Sequence, residues 1–184
     1  KPLPPLNYLK ECFRYCSQSG SLFWRQRPRE HFNTIRGFRS FNSQFANKET
    51  TRVTTQGYKS VYLTLQGIKH ELSVHRIAWA NHYENDPGEL QLDHINKNPG
   101  DNRIINLRLA TAGQNTRNTR ARAGTSRFKG VYFDKSKQKW KSQYQLNGKR
   151  KHIGYYSSPE AAAMAFNQAA HSEYKEFANL NSIT

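Results

Sequence analysis

The stretch LQLDHINKNPGDNRIINLRLATAGQNTRN, residues 90–118, decides the fold of this chain. A short apolar run delivers Asp93 and His94 side by side, and a segment that can hardly be regular structure follows. That segment ends at Asn106, and the residues after it are typical of a helix start that carries Asn115. One acid, one histidine and several amides are therefore gathered around a single loop.

This set of side chains suits phosphodiester hydrolysis. A divalent cation can bind the scissile phosphate and stabilise the leaving oxygen, while a neutral imidazole takes a proton from water. Asp93 and Asn115 supply two hard oxygen ligands, which favours one Mg²⁺ or Mn²⁺ per active centre. His94 is the predicted base, and it uses Nε2 if its Nδ1–H donates to a backbone carbonyl or to the Asn106 amide oxygen. Asn118 is a candidate phosphate contact.

The charge of the chain points to a polyanionic partner. Its 29 Lys and Arg against 13 Asp and Glu give a net charge of +16, which favours nucleic acid. No apolar run approaches about 18 residues and no secretory signal is visible, so we expect a cytoplasmic protein without membrane association. We expect Cys12 and Cys16 to be reduced thiols rather than a zinc site, and no small-molecule cofactor.

Before residue 90, the spacing of apolar residues predicts short helices and a hairpin. Helical spacing of apolar residues predicts a helix over 6–16, whereas residues 25–50 are predicted to be mostly irregular. Residues 58–75 read as a hairpin around Gln66-Gly67, and HRIAWANHY, residues 75–83, predicts a short helix. His75 is interpreted as a structural histidine between the hairpin and that helix.

The segment DHINKNPGDNRIINLRLATAGQNTRN resembles the HNH nucleases with a ββα-metal fold, in particular their phage and intron-encoded homing branch. The resemblance covers roughly residues 6–120 and is most specific in the motif itself. His94, Asn106 and Asn115 match the H, N and final ligand positions of the family. The resemblance implies a metal-dependent DNA endonuclease, with His94 and Asn106 catalytic and with Asp93 and Asn115 as metal ligands.

Beyond residue 125 the pattern predicts a second small domain. FKGVYF, KWKSQYQLN and KRKHIGYYS predict three short strands, and SPEAAAMAFNQAAHSEYK predicts a helix with Ser158 as its N-cap. In KWKSQYQL, alternation places the aromatic residues on one face, under the helix, and leaves a basic polar face uncovered. Gln and Arg side chains on such a face can hydrogen-bond to adenine and guanine in the major groove.

These C-terminal elements resemble the AP2 DNA-binding domain over about residues 125–181, a domain also found attached to HNH endonucleases. The resemblance implies that the three-stranded sheet enters the major groove and that the helix stays behind it. Carried over by position, it implies these groove or backbone contacts: Lys129, Tyr132, Lys141, Gln143, Gln145, Arg150 and His152. Several of them differ from the residues that plant members often carry, so the target sequence does not transfer.

We therefore predict an α+β protein in which a ββα-metal HNH nuclease domain is followed by a small three-stranded antiparallel sheet plus one helix, which is AP2-like. The predicted parts are an N-terminal region of the nuclease part (1–56), an HNH nuclease core (57–120), a basic linker (119–125) and an AP2-like DNA-binding domain (126–181).

The predicted function is that of a site-specific DNA endonuclease of homing type, a phosphodiester hydrolase that acts on double-stranded DNA. It is expected to work as a monomer or weak dimer, to leave a nick or a double-strand break, and to act in a bacterial host cell if it is phage-encoded. A DNA-binding regulator with a vestigial HNH centre is the alternative. An RNA-binding protein would fit the charge but would leave the Asp-His-Asn set unexplained.

Overall fold

The computed structural model describes residues 2–50, 52–118 and 125–183, and the chain divides into two compact units. The first unit is Lys1–Leu109 and the second is Ala110–Thr184. The described residues form helices and small sheets of two or three strands, which agrees with the predicted α+β class. Most of the predicted linker, residues 119–124, lies outside the described residues. No helix in the described part of the chain is long and apolar enough to cross a membrane.

The first helix is shorter than the spacing of its apolar residues predicted. Helix α1 spans Leu6–Cys12, and Phe13–Cys16 form strand β1, which pairs antiparallel with strand β2, Ser21–Trp24. Phe13 lies opposite Trp24 in this pairing, and their ring centroids are 4.5 Å apart. The predicted helix over 6–16 was therefore wrong in its second half, because strand pairing and aromatic packing override a local helical pattern.

The segment predicted to be mostly irregular, residues 25–50, contains an 11-residue helix, α2, at Ile35–Phe45. Thr34 caps α2, because its side-chain oxygen accepts a hydrogen bond of 3.0 Å from a backbone N–H in the first turn. The ring of Phe41 lies 5.0 Å from that of Trp24. The prediction was wrong here because none of the α2 residues is buried. The helix therefore lacks the regular apolar spacing of a core helix and packs through a few aromatic rings.

The predicted hairpin and the helix after it are both confirmed. Strands β3, Ser60–Leu65, and β4, Ile68–Ser73, pair antiparallel around Gln66-Gly67, where both residues have positive φ as such tight hairpin turns require. Helix α3 spans Val74–Tyr83. The core of the first unit joins these elements to α1, β1 and β2 through buried residues that include Leu9, Phe13, Leu22, Leu63, Val74 and Ile77.

Two short strands position the candidate site in the first unit. Strand β5, Gln91–His94, and strand β6, Leu107–Ala110, form a two-stranded sheet. Residues 95–106 connect them and end in one turn of 3-10 helix. Leu92 of β5 belongs to the same buried cluster as Trp79 of α3, so the end of β5 is held against the core.

The second unit contains the three strands and the helix that the sequence predicted. Their bounds are β7 at Val131–Asp134, β8 at Lys139–Leu146, β9 at Lys149–Tyr156 and α5 at Pro159–Tyr174. The sheet is antiparallel, in the order β7-β8-β9. Ser158 caps α5, as predicted, by accepting a 3.1 Å hydrogen bond from a backbone N–H. The buried alanines of α5 pack with Trp140 and Phe128.

Helix α4, Ala112–Asn118, belongs to the second unit, although the sequence placed it in the nuclease core of residues 57–120. The guanidinium of Arg117 lies 4.9 Å from the ring centroid of Tyr174, and the Arg117 carbonyl accepts a hydrogen bond from the Lys129 ammonium. These contacts tie α4 to α5 and to the start of the sheet. The compact second unit therefore begins before the predicted linker.

We predict that Gly130→Ala destabilises the protein much more than Gly148→Ala. Both glycines have positive φ, +76° and +77°, so both variants carry the backbone cost of about 1–2 kcal/mol. A Cβ at Gly130 would also overlap the Phe166 ring and lie 2.6 Å from the Gln143 carbonyl oxygen, whereas a Cβ at Gly148 meets nothing within 4 Å. The overlap should add about 1–3 kcal/mol. Equal losses in urea unfolding would contradict this packing.

Candidate active site

Strand β5 ends with three successive buried residues. Leu92, Asp93 and His94 are 6%, 4% and 5% exposed. Neighbouring side chains on a strand point to opposite faces, so Asp93 and His94 are covered on different sides of β5. A buried acid and a buried imidazole both need polar partners, because their burial is otherwise costly.

Asp93 is paired with Arg108 of β6. The Asp93 Oδ2 atom accepts hydrogen bonds from Arg108 Nε at 2.9 Å and from Arg108 Nη2 at 2.8 Å. Both side chains are largely withdrawn from solvent, at 5% and 16% exposure. Sequence reasoning did not assign a role to Arg108. The sequence feature that could have indicated this role is its position on β6, the strand beside β5. A cation there can pair with the buried Asp93 carboxylate.

His94 is held by a residue that the sequence prediction did not include. Its Nε2 lies 3.0 Å from the Asn102 side-chain oxygen, and Asn102 is 1% exposed. Because an amide oxygen only accepts, this hydrogen bond requires the proton on Nε2. The sequence analysis left Nε2 as the base if Nδ1–H were the donor, whereas in the structure Nε2 is the donor.

Asn106 fixes the connecting loop rather than the imidazole. Its side-chain oxygen accepts from the Asn96 backbone N–H at 2.9 Å, and its side-chain nitrogen donates to the Asp101 carbonyl at 2.8 Å. These bonds connect the end of the loop, at Asn106, to its start and its middle. Of the two acceptors expected for the His94 N–H, a backbone carbonyl or the Asn106 amide oxygen, the second is therefore corrected, because that oxygen accepts from the loop backbone.

The surroundings of His94 favour its neutral form. Burial lowers the pKa of His94 below its usual value, although the hydrogen bond to Asn102 and the charge of Asp93 act in the opposite direction. A neutral imidazole is the form that can accept a proton.

His75 lies closer to this centre than its interpretation as a purely structural residue suggested. It occupies the first turn of α3, and its ring centroid is 5.3 Å from that of His94. The ring of Tyr58 lies 5.7 Å from His75 and 5.8 Å from His94. Burial, together with the smaller effects of the nearby His94 and Arg76, lowers the pKa of His75 to about 3, so this second imidazole is also neutral near pH 7.

The remaining motif residues, Asn115 and Asn118, lie on α4 in the second unit. Asn118 is 5% exposed. Thr111 and Gln114 cap the helix start reciprocally: the Thr111 N–H donates to the Gln114 side chain at 2.8 Å, and the Gln114 N–H donates to the Thr111 hydroxyl at 3.3 Å. The metal-ligand role of Asn115 and the phosphate contact of Asn118 stay predictions of the motif.

The donor chemistry fits a hard cation held by few protein ligands. Among the residues that the structure describes, no group of three or more His, Cys, Asp or Glu is arranged to hold a metal. Mg²⁺ is commonly bound through one or two carboxylates, with waters and substrate phosphate completing its coordination. The buried Asp93 carboxylate agrees with that pattern as one such ligand.

A second candidate site is the face of the second unit's sheet that points away from α5. Six of the seven predicted DNA contacts form three cross-strand pairs, namely Tyr132 with Lys141, Gln143 with His152 and Gln145 with Arg150. Directly paired residues share a face of the sheet. The opposite face carries Trp140 and Tyr144, which pack with α5. The structure therefore brings these six side chains to one surface.

Lys129 is set apart from these six residues. It precedes β7, and its ammonium donates to the Arg117 carbonyl of α4. Its backbone N–H donates to the Asn181 side-chain oxygen at 2.6 Å. Lys129 therefore has a role in holding the second unit together that the sequence pattern did not indicate.

Residues 73–117 match the family model described as HNH endonuclease, so this segment is similar to HNH endonucleases. Among solved structures, the chain is similar to one described as "DNA binding and cleavage by the HNH homing endonuclease I-HmuI", with 22% identity and a TM-score of 0.39. The likeness covers 58% of this chain and 50% of that chain, so it extends over only about half the length of the matched chain. No curated protein matches the sequence.

We predict that Arg108→Met lowers the free energy of unfolding by about 3–5 kcal/mol, because it removes the Arg108 half of a buried ion pair with Asp93. Arg103→Met is the matched control. It also breaks an Arg–Asp pair, with Asp101 at 2.6 Å, but the Arg103 side chain is 49% exposed, and such pairs contribute about 0–1 kcal/mol. Urea titration of both variants measures the difference. Losses of similar size would contradict the structural role of Arg108.

Proposed function

We propose that this chain is a site-specific DNA endonuclease of homing type, which hydrolyses a phosphodiester with His94 as the general base. The observation that carries the proposal is the buried pair of Asp93 and His94 at the end of β5, within the segment that matches the HNH endonuclease family. The net charge of +16 supports a polyanionic substrate.

His94 is suited to take a proton from the attacking water. The hydrogen bond of Nε2 to Asn102 places the lone pair of the neutral ring on Nδ1, which makes Nδ1 the basic atom. Burial keeps the pKa of His94 low, so the ring does not start the reaction already protonated near neutral pH. General-base catalysis of this kind contributes about 10²–10⁴ to a rate.

Asp93 is the proposed acidic ligand of a divalent cation, Mg²⁺ or Mn²⁺, and Asn115 is retained from the motif as the second. When bound, such a cation would stabilise the charge on the phosphate and on the leaving oxygen. Arg108 orients the Asp93 carboxylate through its two hydrogen bonds to Oδ2.

The sheet of the second unit is the proposed reader of the DNA sequence, as the AP2 resemblance implies. Its outer face presents Gln143 and Gln145, which can recognise adenine, next to Lys141 and Arg150, which can bind phosphate or guanine. One catalytic centre per chain favours nicking by a monomer, whereas a double-strand break would need a dimer or a second binding event.

We predict that His94→Ala reduces the rate of DNA cleavage by about 10²–10⁴, because the variant lacks the base. Its affinity for DNA should stay close to that of the wild type, since His94 is 5% exposed and is not a surface contact. Cleavage of supercoiled plasmid in Mg²⁺ and a parallel binding titration measure the two effects. His82→Ala, at an exposed position of α3, serves as the control and should cut normally.

Two results would contradict the assignment. Cleavage by His94→Ala at the wild-type rate would show that His94 is not the base. A wild-type chain that binds DNA but leaves every plasmid intact would favour the alternative, a DNA-binding regulator with a vestigial centre.

We predict that Lys141→Ala combined with Arg150→Ala weakens DNA binding and makes its salt dependence shallower. Each lost phosphate contact removes about 0.9 from the slope of log K against log salt, so the double variant should lose about 2. Binding titrations of the full chain at several salt concentrations measure the slope.

The matched control is Lys149→Ala combined with Lys151→Ala. Lys149 and Lys151 lie on the same strand as Arg150, and their substitution removes the same amount of charge. They pair with Leu146 and Tyr144, so they belong to the other face of the sheet. Their slope should change much less. Equal changes in both double variants would mean that the outer face is not the reading surface.

A further inference from the structure

Asn102 is the most deeply buried polar residue of the loop between β5 and β6. It is 1% exposed, and its side-chain oxygen accepts the hydrogen bond from His94 Nε2 at 3.0 Å. A buried amide so close to the proposed base can decide which ring nitrogen carries the proton, because an imidazole hydrogen bond fixes the tautomer.

The backbone around Asn102 is held by the hairpin of β1 and β2, which lies outside the segment that matches the HNH family. The Tyr15 hydroxyl donates to the Asn102 carbonyl at 2.7 Å, and burial raises the pKa of Tyr15, so this hydroxyl stays protonated. Gly20, with φ +73°, packs so closely that a Cβ there would lie 2.6 Å from the Asn102 carbonyl carbon. Only glycine fits at that position without a shift of the loop.

The loop is also fixed from within, so Asn102 has little freedom to turn away. The Asp101 carboxylate accepts from Arg103 Nε at 2.8 Å and from the Asn96 side chain at 2.7 Å. Asn106 adds the bonds to the backbone of Asn96 and Asp101. The two neighbours of Asn102 in the chain are thus anchored independently of His94.

We propose that Asn102 is a positioning residue of the nuclease centre: it holds His94 in the Nε2–H tautomer, so that Nδ1 takes the proton from water, and Tyr15 and Gly20 of the N-terminal hairpin hold Asn102 in place. This inference rests on the proposed function of His94. It adds a residue, a nitrogen assignment and a role for the first hairpin that the motif does not contain.

The test compares Asn102→Leu and Asn102→Asp in the full chain. Leucine has nearly the same size and removes the acceptor, whereas aspartate keeps an acceptor oxygen at the same place. Nitrogen-15-labelled histidine reports the tautomer of His94 by NMR, and the spectrum of His94→Gln identifies its signals. Single-turnover cleavage of plasmid in Mg²⁺ reports the rate, and a binding titration reports the affinity.

We expect the Nε2–H tautomer in the wild type and in Asn102→Asp, and an Nδ1–H population in Asn102→Leu. Cleavage by Asn102→Leu should fall by about 10- to 100-fold at unchanged DNA affinity, and Asn102→Asp should restore most of the rate. If Asn102→Leu does not fold, Tyr15→Phe is the milder variant: it removes one hydroxyl from the Asn102 carbonyl and should produce the same change of tautomer to a smaller extent.

A wild-type tautomer in Asn102→Leu overturns the inference even if the rate falls, because the residue would then act only on stability. In the event that Asn102→Leu does not fold, a wild-type tautomer in Tyr15→Phe overturns it likewise. A wild type that cuts no DNA would overturn the proposed function, and the tautomer measurement would still decide the role of Asn102.

Discussion

The hydrogen bond between His94 Nε2 and the Asn102 side-chain oxygen is the contact on which the proposed chemistry at His94 depends. A histidine buried at the end of a strand can take a proton only if its ring is held, its tautomer is defined and it is neutral beforehand. Burial provides the neutrality and Asn102 the tautomer. Arg108 pairs with Asp93 and offsets the cost of burying its carboxylate. Each buried polar group of the pair therefore has a dedicated partner.

In the proposed function, the first unit carries the chemistry and the second unit recognises the DNA. The first unit contains a compact aromatic core and the buried Asp93–His94 pair, whereas the second presents a polar and basic sheet face. Helix α4 complicates this division, since it carries Asn115 but packs on Tyr174 and Lys129 through Arg117. Removing the second unit would remove α4 and Asn115 with it, and a truncation just after α4 would strip the helix of these contacts. Substitutions in the full chain therefore separate cutting from reading more cleanly than truncation does.

Much of this architecture could be predicted from the sequence, because period-2 alternation and strong turns mark β3, β4 and the C-terminal sheet. The local sequence pattern gave the wrong element where long-range packing decides the structure. Phe13, for example, fits the helical spacing of residues 6–16 but lies in β1, opposite Trp24. The sequence also did not identify the partner of His94, because that contact likewise depends on the three-dimensional structure. Asn102 is one of many amides in its loop, and only its position in space distinguishes it from Asn106 as the partner of His94.

The central claim is that the buried Asp93–His94 pair is a metal-dependent centre that cuts DNA. The most direct measurement is cleavage of supercoiled plasmid by the wild type and by Asp93→Ala across a titration of Mg²⁺ and Mn²⁺, with a chelator as the zero point. The account predicts that the wild type cuts only when the cation is present, and that Asp93→Ala binds the DNA but leaves it intact at every concentration. Cleavage in the chelator, or cleavage by Asp93→Ala at the wild-type rate, would contradict it.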